Sequence, residues 1–149
     1  MPERREDIHF EVRDEAIEPL IAERTRQQVA AHPETGATVH FEGWVRNSHK
    51  GRRVTSLSYS AYERLADTEG YAILGEAVRT YGLTFASAVH RTGDLSIGEM
   101  SIWIIAGAAH RGTAFEGCRY VIEEMKRRLP VWKHEFYDDG SDDWVHAGS

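Results

Sequence analysis

With only one cysteine, Cys118, this 149-residue chain cannot close an internal disulfide, which fits a reducing compartment. No apolar stretch approaches the ~20 residues that span a bilayer. The start, Met1-Pro2-Glu3-Arg4-Arg5-Glu6-Asp7, lacks the apolar centre of a secretory signal. Positive charge is also short. The 18 Lys and Arg stand against 24 Asp and Glu, and a net charge of −6 argues against general binding to nucleic acid or anionic membranes. Any cationic function is therefore local. The eight histidines show no paired metal-ligand spacing, and no cysteine cluster accompanies them. A Gly-x-Ser-x-Gly elbow, a phosphate-binding glycine loop and a dinucleotide fingerprint are missing as well. The expectation is a cytoplasmic protein without metal or cofactor, forming one domain over residues 1–149.

What is present is an interleaved run of strands and helices. Ile8 to Val12 alternates as a half-buried strand, and Asp14 reads as the N-cap of a helix reaching Ala31. Ala37 to Val45 and Val54 to Ser60 read as strands that could pair across the polar segment Arg46 to Arg53. That segment carries four cations: Arg46, Lys50, Arg52 and Arg53. Ala61 to Tyr81 reads as a helix with Leu65, Ile73, Leu74, Ala77 and Val78 inward, stopped by Gly82. Leu83 to His90 is a strand, Thr92-Gly93-Asp94 a turn, and Glu99 to Ala106 a strongly apolar strand. Thr113 to Leu129 is the best helix, with Phe115, Cys118, Ile122, Met125 and Leu129 as its core stripe. Val131 to Phe136 is a strand, followed by a turn and a tail containing Trp144. Short turns between several strands favour a mainly antiparallel α+β domain.

Four groups at the two ends of the Thr113 to Leu129 helix could carry chemistry. His110-Arg111 stands where a strand meets a helix N-terminus, suited to gripping an anion. It reads equally as a salt-bridged, strand-end pair. Lys126 and Lys133 flank Pro130 at the other end and could stabilise an oxyanion or move a proton. They read equally as solvated lysines in a basic cluster near a helix C-terminus. Cys118 lies on an apolar stripe and reads as a packed core thiol.

Taken together, these residues resemble a known family. Ala109-His110-Arg111-x-x-Ala114-Phe115, then Lys126, then Pro130-x-Trp132-Lys133-x-Glu135 is similar to the large, catalytic subunit of molybdopterin synthase, the MoaE family. Phe41-x-Gly43-x-Val45-Arg46-Asn47, Leu57-x-Tyr59-x-x-Tyr62 and His90-Arg91-x-Gly93-x-Leu95-x-x-Gly98-Glu99 agree with it, as does Asp143-Trp144-Val145. Order and spacing hold over residues 37–145.

The resemblance implies an α/β hammerhead-type fold with additional antiparallel sheet and flanking helices. It implies conversion of cyclic pyranopterin monophosphate into molybdopterin by installing the dithiolene sulfurs. Sulfur arrives as a thiocarboxylate on the C-terminal glycine of a ubiquitin-like small subunit, and a homodimer of large subunits carries one small subunit at each end of a heterotetramer. Carried over residue by residue, Trp44, Val45, Arg46, His110 and Arg111 bind substrate. Lys126 is the principal catalytic lysine and Lys133 the second, with His134 and Glu135 beside it. The sequence departs from the family's pattern at Trp44, Ser60, Ala108 and His134. The rival readings are a non-catalytic adaptor for a sulfur-carrier tail and a nucleic-acid module built on the Arg46 to Arg53 loop.

Overall fold

The computed structural model describes residues 5–149. Among the described residues nine strands and three α-helices follow one another as β1 (Ile8–Arg13), α1 (Ile21–Ala31), β2 (Ala37–Trp44), β3 (Ser48–His49), β4 (Arg52–Ala61), α2 (Glu63–Tyr81), β5 (Phe85–Arg91), β6 (Gly93–Ser96), β7 (Met100–Ala108), α3 (Arg111–Arg128), β8 (Val131–Tyr137) and β9 (Asp142–His146). The first sheet has the order β1-β5-β7-β2. Its β1–β5 pair is parallel and the others antiparallel. The second joins β3-β4-β8-β9, with β6 also on β4, and is antiparallel throughout. The α+β class expected from the sequence is the one observed.

Burial on both faces explains why β5 and β7 are continuously buried rather than alternating. Ala86, Ala88, Ile102, Ile104 and Ala106 meet α2 and α3 on one side. Phe85, Val89, Trp103 and Ile105 meet Ile17, Ile21 and Val29 on the other. Close packing of both covering helices needs glycine. A Cβ at Gly70 in α2 would overlap the Phe10 ring, and one at Gly117 in α3 would overlap Leu83. Gly82 ends α2 with φ 63°, the left-handed stop its position predicts.

Several sequence expectations shift. The first helix does not open at Asp14. Ile17 is fully buried in the core and caps a 3-10 turn over Glu18–Leu20 that contains Pro19, and α1 starts at Ile21. The buried stripe of α3 is Ala114, Gly117, Cys118, Val121 and Met125, while Phe115 is exposed. Leu65 is likewise outside α2's buried face. Gly93 to Ser96 is a strand rather than part of a turn, and the segment carrying Trp144 is β9. The strands around the basic segment do not pair with each other: β2 runs beside β7, and β4 beside β8 and β6. Cys118 is packed as expected, and burial pushes its thiol up to about 11. Among the described residues no helix is long and apolar enough to cross a membrane.

Candidate active site

The two sheets and the end of α3 enclose a cleft of about 380 Å³. Trp44, Val45 and Arg46 enter it from the end of β2, Tyr59 from β4, Lys126 from α3, and Lys133 and Glu135 from β8. His49 of β3 and the segment Ala147, Gly148 and Ser149 complete its wall. The strand-end residues are pinned by backbone bonds. Val45 N–H donates to Glu99 O at 2.9 Å, and Gly98 N–H donates back to Val45 O at 2.7 Å.

Alternation along β8 decides which side chains reach the cleft. Val131, Lys133, Glu135 and Tyr137 face inward, and Trp132, His134 and Phe136 face outward. Lys133 Nζ lies 3.1 Å from Glu135 Oε2, and that carboxylate is 1% exposed. Burial alone would raise the Glu135 pKa. Donation from His49 Nδ1 and Tyr137 OH, each 2.8 Å from Oε1, together with Lys133, outweighs it and holds the carboxyl below its ordinary range.

Lys126 stands differently. The last turn of α3 reads Lys126-Arg127-Arg128, and only Lys126 turns into the cleft. Arg127 pairs with Glu124, and Arg128 with Glu69, Glu76 and Glu124. Among the described residues Lys126 has no carboxylate partner. Its Nζ donates to the Ala147 carbonyl oxygen at 3.3 Å. Desolvation of the ammonium, then the charge of Lys133, push its pKa below the ordinary lysine value, although the residue as a whole is exposed.

A neutral imidazole lies near Lys126. His90 is buried, and burial pushes its pKa down to about 4 despite its bond to the Arg91 carbonyl; the nearby Lys126 charge adds to the fall. Nδ1–H donates to that carbonyl at 2.8 Å, and the ring meets Tyr59 edge-on at 5.0 Å. The Tyr59 hydroxyl is pushed up by its own burial, partly offset by the bond to Ser101, with Glu135 adding to the rise. The cleft thus brings the cations Arg46, Lys126 and Lys133 together within a mixed polar and apolar wall, an arrangement suited to receiving anions.

Three of the residues singled out in the sequence lie elsewhere within this chain. His110 and Arg111 begin α3, fifteen residues before Lys126, a separation of about 22 Å along the helix axis. Both are exposed, and His110 makes no side-chain cap. His134 points from the opposite face of β8, stacked on Trp144 at 4.4 Å and paired with Asp142. His49 and Tyr137, by contrast, drew no attention in the sequence. His49 sits 86 residues from Glu135, and no local pattern announces such a pair.

The family model described as MoaE protein matches residues 15–128. The chain is 38% identical over 139 residues to the molybdopterin synthase catalytic subunit of Thermoplasma volcanium, covering 93% of this chain and 98% of that one. It is 47% identical over 105 residues to the rice (Oryza sativa subsp. indica) molybdopterin synthase catalytic subunit, covering 70% of this chain and spanning 54% of that protein's length. The crystal structure of molybdopterin synthase from Staphylococcus aureus superposes with a TM-score of 0.78 at 32% identity, covering 91% of this chain and 96% of that one.

Proposed function

The chain belongs to the MoaE family, the catalytic subunit of molybdopterin synthase in molybdenum cofactor biosynthesis, and from that premise we propose how its own residues carry the reaction. The cleft takes two anions, the phosphate of cyclic pyranopterin monophosphate and the thiocarboxylate at the C-terminal glycine of a ubiquitin-like small subunit. Lys126 is the observation that carries this reading. It is a cation directed into the cleft with no carboxylate partner among the described residues, placed where an incoming anion can replace a weak backbone contact.

Arg46 and Trp44 hold the substrate at the end of β2 beside the buried Val45. Lys126 orients the thiocarboxylate and stabilises charge as its sulfur attacks the sugar-derived carbons. Lys133, held by Glu135, assists proton transfer as the cyclic phosphate opens. His134 stacks on Trp144 on the opposite face of β8, so we give it no substrate contact in the cleft of its own chain. With about 22 Å of α3 between them and Lys126, His110 and Arg111 do not reach the cleft of their own chain. We assign them to the cleft of a second copy in a homodimer, whose two clefts each receive one small subunit.

The test is single-turnover sulfur transfer with thiocarboxylated small subunit and cyclic pyranopterin monophosphate. Wild type forms the dithiolene, and Lys126→Ala slows it by about a hundredfold to a thousandfold. Dithiolene formation at the wild-type rate by Lys126→Ala would overturn the central role. A wild type that binds the small subunit but forms no dithiolene would instead be an adaptor.

A further inference from the structure

The hairpin between β3 and β4 delivers a side chain to the cleft that the family resemblance leaves without a role. Lys50 (φ 50°) and Gly51 (φ 78°) are consecutive left-handed residues, the geometry of a two-residue hairpin turn. The turn sets His49 opposite Arg52 and Ser48 opposite Arg53, and Val54 N–H closes its base on Asn47 O at 2.9 Å. His49 is thereby pressed against β8, with Nδ1 2.8 Å from Glu135 Oε1. An ionised carboxylate only accepts, so the imidazole carries its proton on Nδ1.

Glu135 distributes its partners unevenly. Oε1 takes both His49 Nδ1–H and Tyr137 OH, and Oε2 takes Lys133 alone. Two bonds to Oε1 fix the rotation of the carboxylate, which fixes Oε2 and with it the resting place of the Lys133 ammonium. The side chains of His49 and Glu135 are 10% and 2% exposed, so water is poorly placed to substitute for the imidazole. The Arg52 guanidinium lies 3.6 Å over the Tyr137 ring and closes the outer side.

We propose that His49 is a positioning residue for Lys133, acting through Glu135 to hold the ammonium where the reaction in the cleft uses it. The reaction itself rests on the sulfur-transfer reading above, whereas the placement of Lys133 does not.

Two substitutions and two readouts test it. His49→Leu removes the donor, and His49→Asn returns an N–H to nearly the same place. In the enzyme assembled with thiocarboxylated small subunit, His49→Leu lowers kcat about tenfold with little change in KM, and His49→Asn restores most of the loss. On the whole chain alone, acetylation of Lys133 by acetic anhydride, read by mass spectrometry with Lys126 as internal reference, rises several-fold in His49→Leu and stays near wild type in His49→Asn. Unchanged Lys133 labelling in a folded His49→Leu overturns the proposal, and so does raised labelling with unaltered kcat. If His49→Leu fails to fold, His49→Asn decides: labelling well above wild type overturns the proposal, and labelling near wild type supports it. A wild type without turnover, but with the expected labelling, would refute sulfur transfer and leave the positioning intact.

Discussion

The Lys126 ammonium donates to the carbonyl oxygen of Ala147 at 3.3 Å, so this lysine of the cleft rests on backbone while its neighbour Lys133 rests on a carboxylate. The two lysines therefore differ in what they can give up. Lys133 is paired with Glu135 and held in place. Lys126 keeps its charge available for an arriving anion.

That availability has a cost in stability. Desolvation, then Lys133, lowers the Lys126 pKa from the ordinary 10.5, so the folded state disfavours the protonated form. The penalty is fully present below the lowered pKa and vanishes as pH rises to about 10.5, where the unfolded chain also loses its proton. Lys126→Met is expected to match or exceed wild-type stability at pH 7, with the difference shrinking at alkaline pH. Urea unfolding across that range measures it, and a clearly less stable Lys126→Met at pH 7 contradicts it.

Glu135 works in the opposite sense. Its pKa is lowered because three donors outweigh burial, so it contributes stability above the ordinary value of 4.5 that is lost as pH falls through the lowered one. Glu135→Ala leaves Lys133 and His49 without their shared acceptor and is expected to cost about 3–5 kcal/mol near neutral pH. The same comparison at pH 3 should give a smaller difference.

Gly148 is confined by the end of α3. A Cβ there would overlap the Lys126 carbonyl oxygen, so Gly148→Val must lift the segment around it away from the helix. Ala147 N–H now donates to Val131 O at 3.0 Å, and hydrogen exchange at Ala147 is expected to speed up by tenfold or more in the variant, about 1.4 kcal/mol of lost protection. Exchange at the core of β7 should not change.

Mixing tests the assignment of Arg111 to a second copy. Lys126→Ala and Arg111→Ala damage different halves of a shared cleft, so a mixed dimer keeps one intact cleft of two. Random re-association of equal amounts is expected to recover about a quarter of wild-type turnover from two nearly inactive parents. If both residues served a cleft within one chain, no recovery would occur.

Gly70→Ala is a probe of packing far from the cleft. The added Cβ would overlap the Phe10 ring, which α2 covers. Overpacking of this kind is expected to cost about 1–3 kcal/mol without altering the cleft. Thermal unfolding beside small-subunit binding separates the two effects.

Strands with a clear pattern were legible because alternation or a continuous apolar run is a property of the strand itself, as in Ile8–Arg13 and Met100–Ala108. The helices were legible apart from their faces and ends. In α3 and at its C-cap the expected Cys118, Met125 and Leu129 are buried and Ile122 packs against the core, but size is a poor guide to burial at two positions: Gly117 is buried since Leu83 needs the room, whereas Phe115 points to solvent. The strands β6 and β9 were missed because both owe their extended form to partners distant in sequence, β4 and β8.

By itself the sequence determined the α+β class, the acidic balance, and the motif order that links Arg46, His110-Arg111, Lys126 and Lys133 to one family. These follow from local periodicity, composition and spacing, which travel with the chain whatever it packs against. Only the tertiary structure decided which of those groups share a cleft. A rigid helix separates Arg111 from Lys126, a strand's two faces separate His134 from Lys133, and one tight hairpin brings His49 to Glu135 across 86 residues. Side-chain direction and long-range pairing are set by packing, and packing is decided by the whole chain at once.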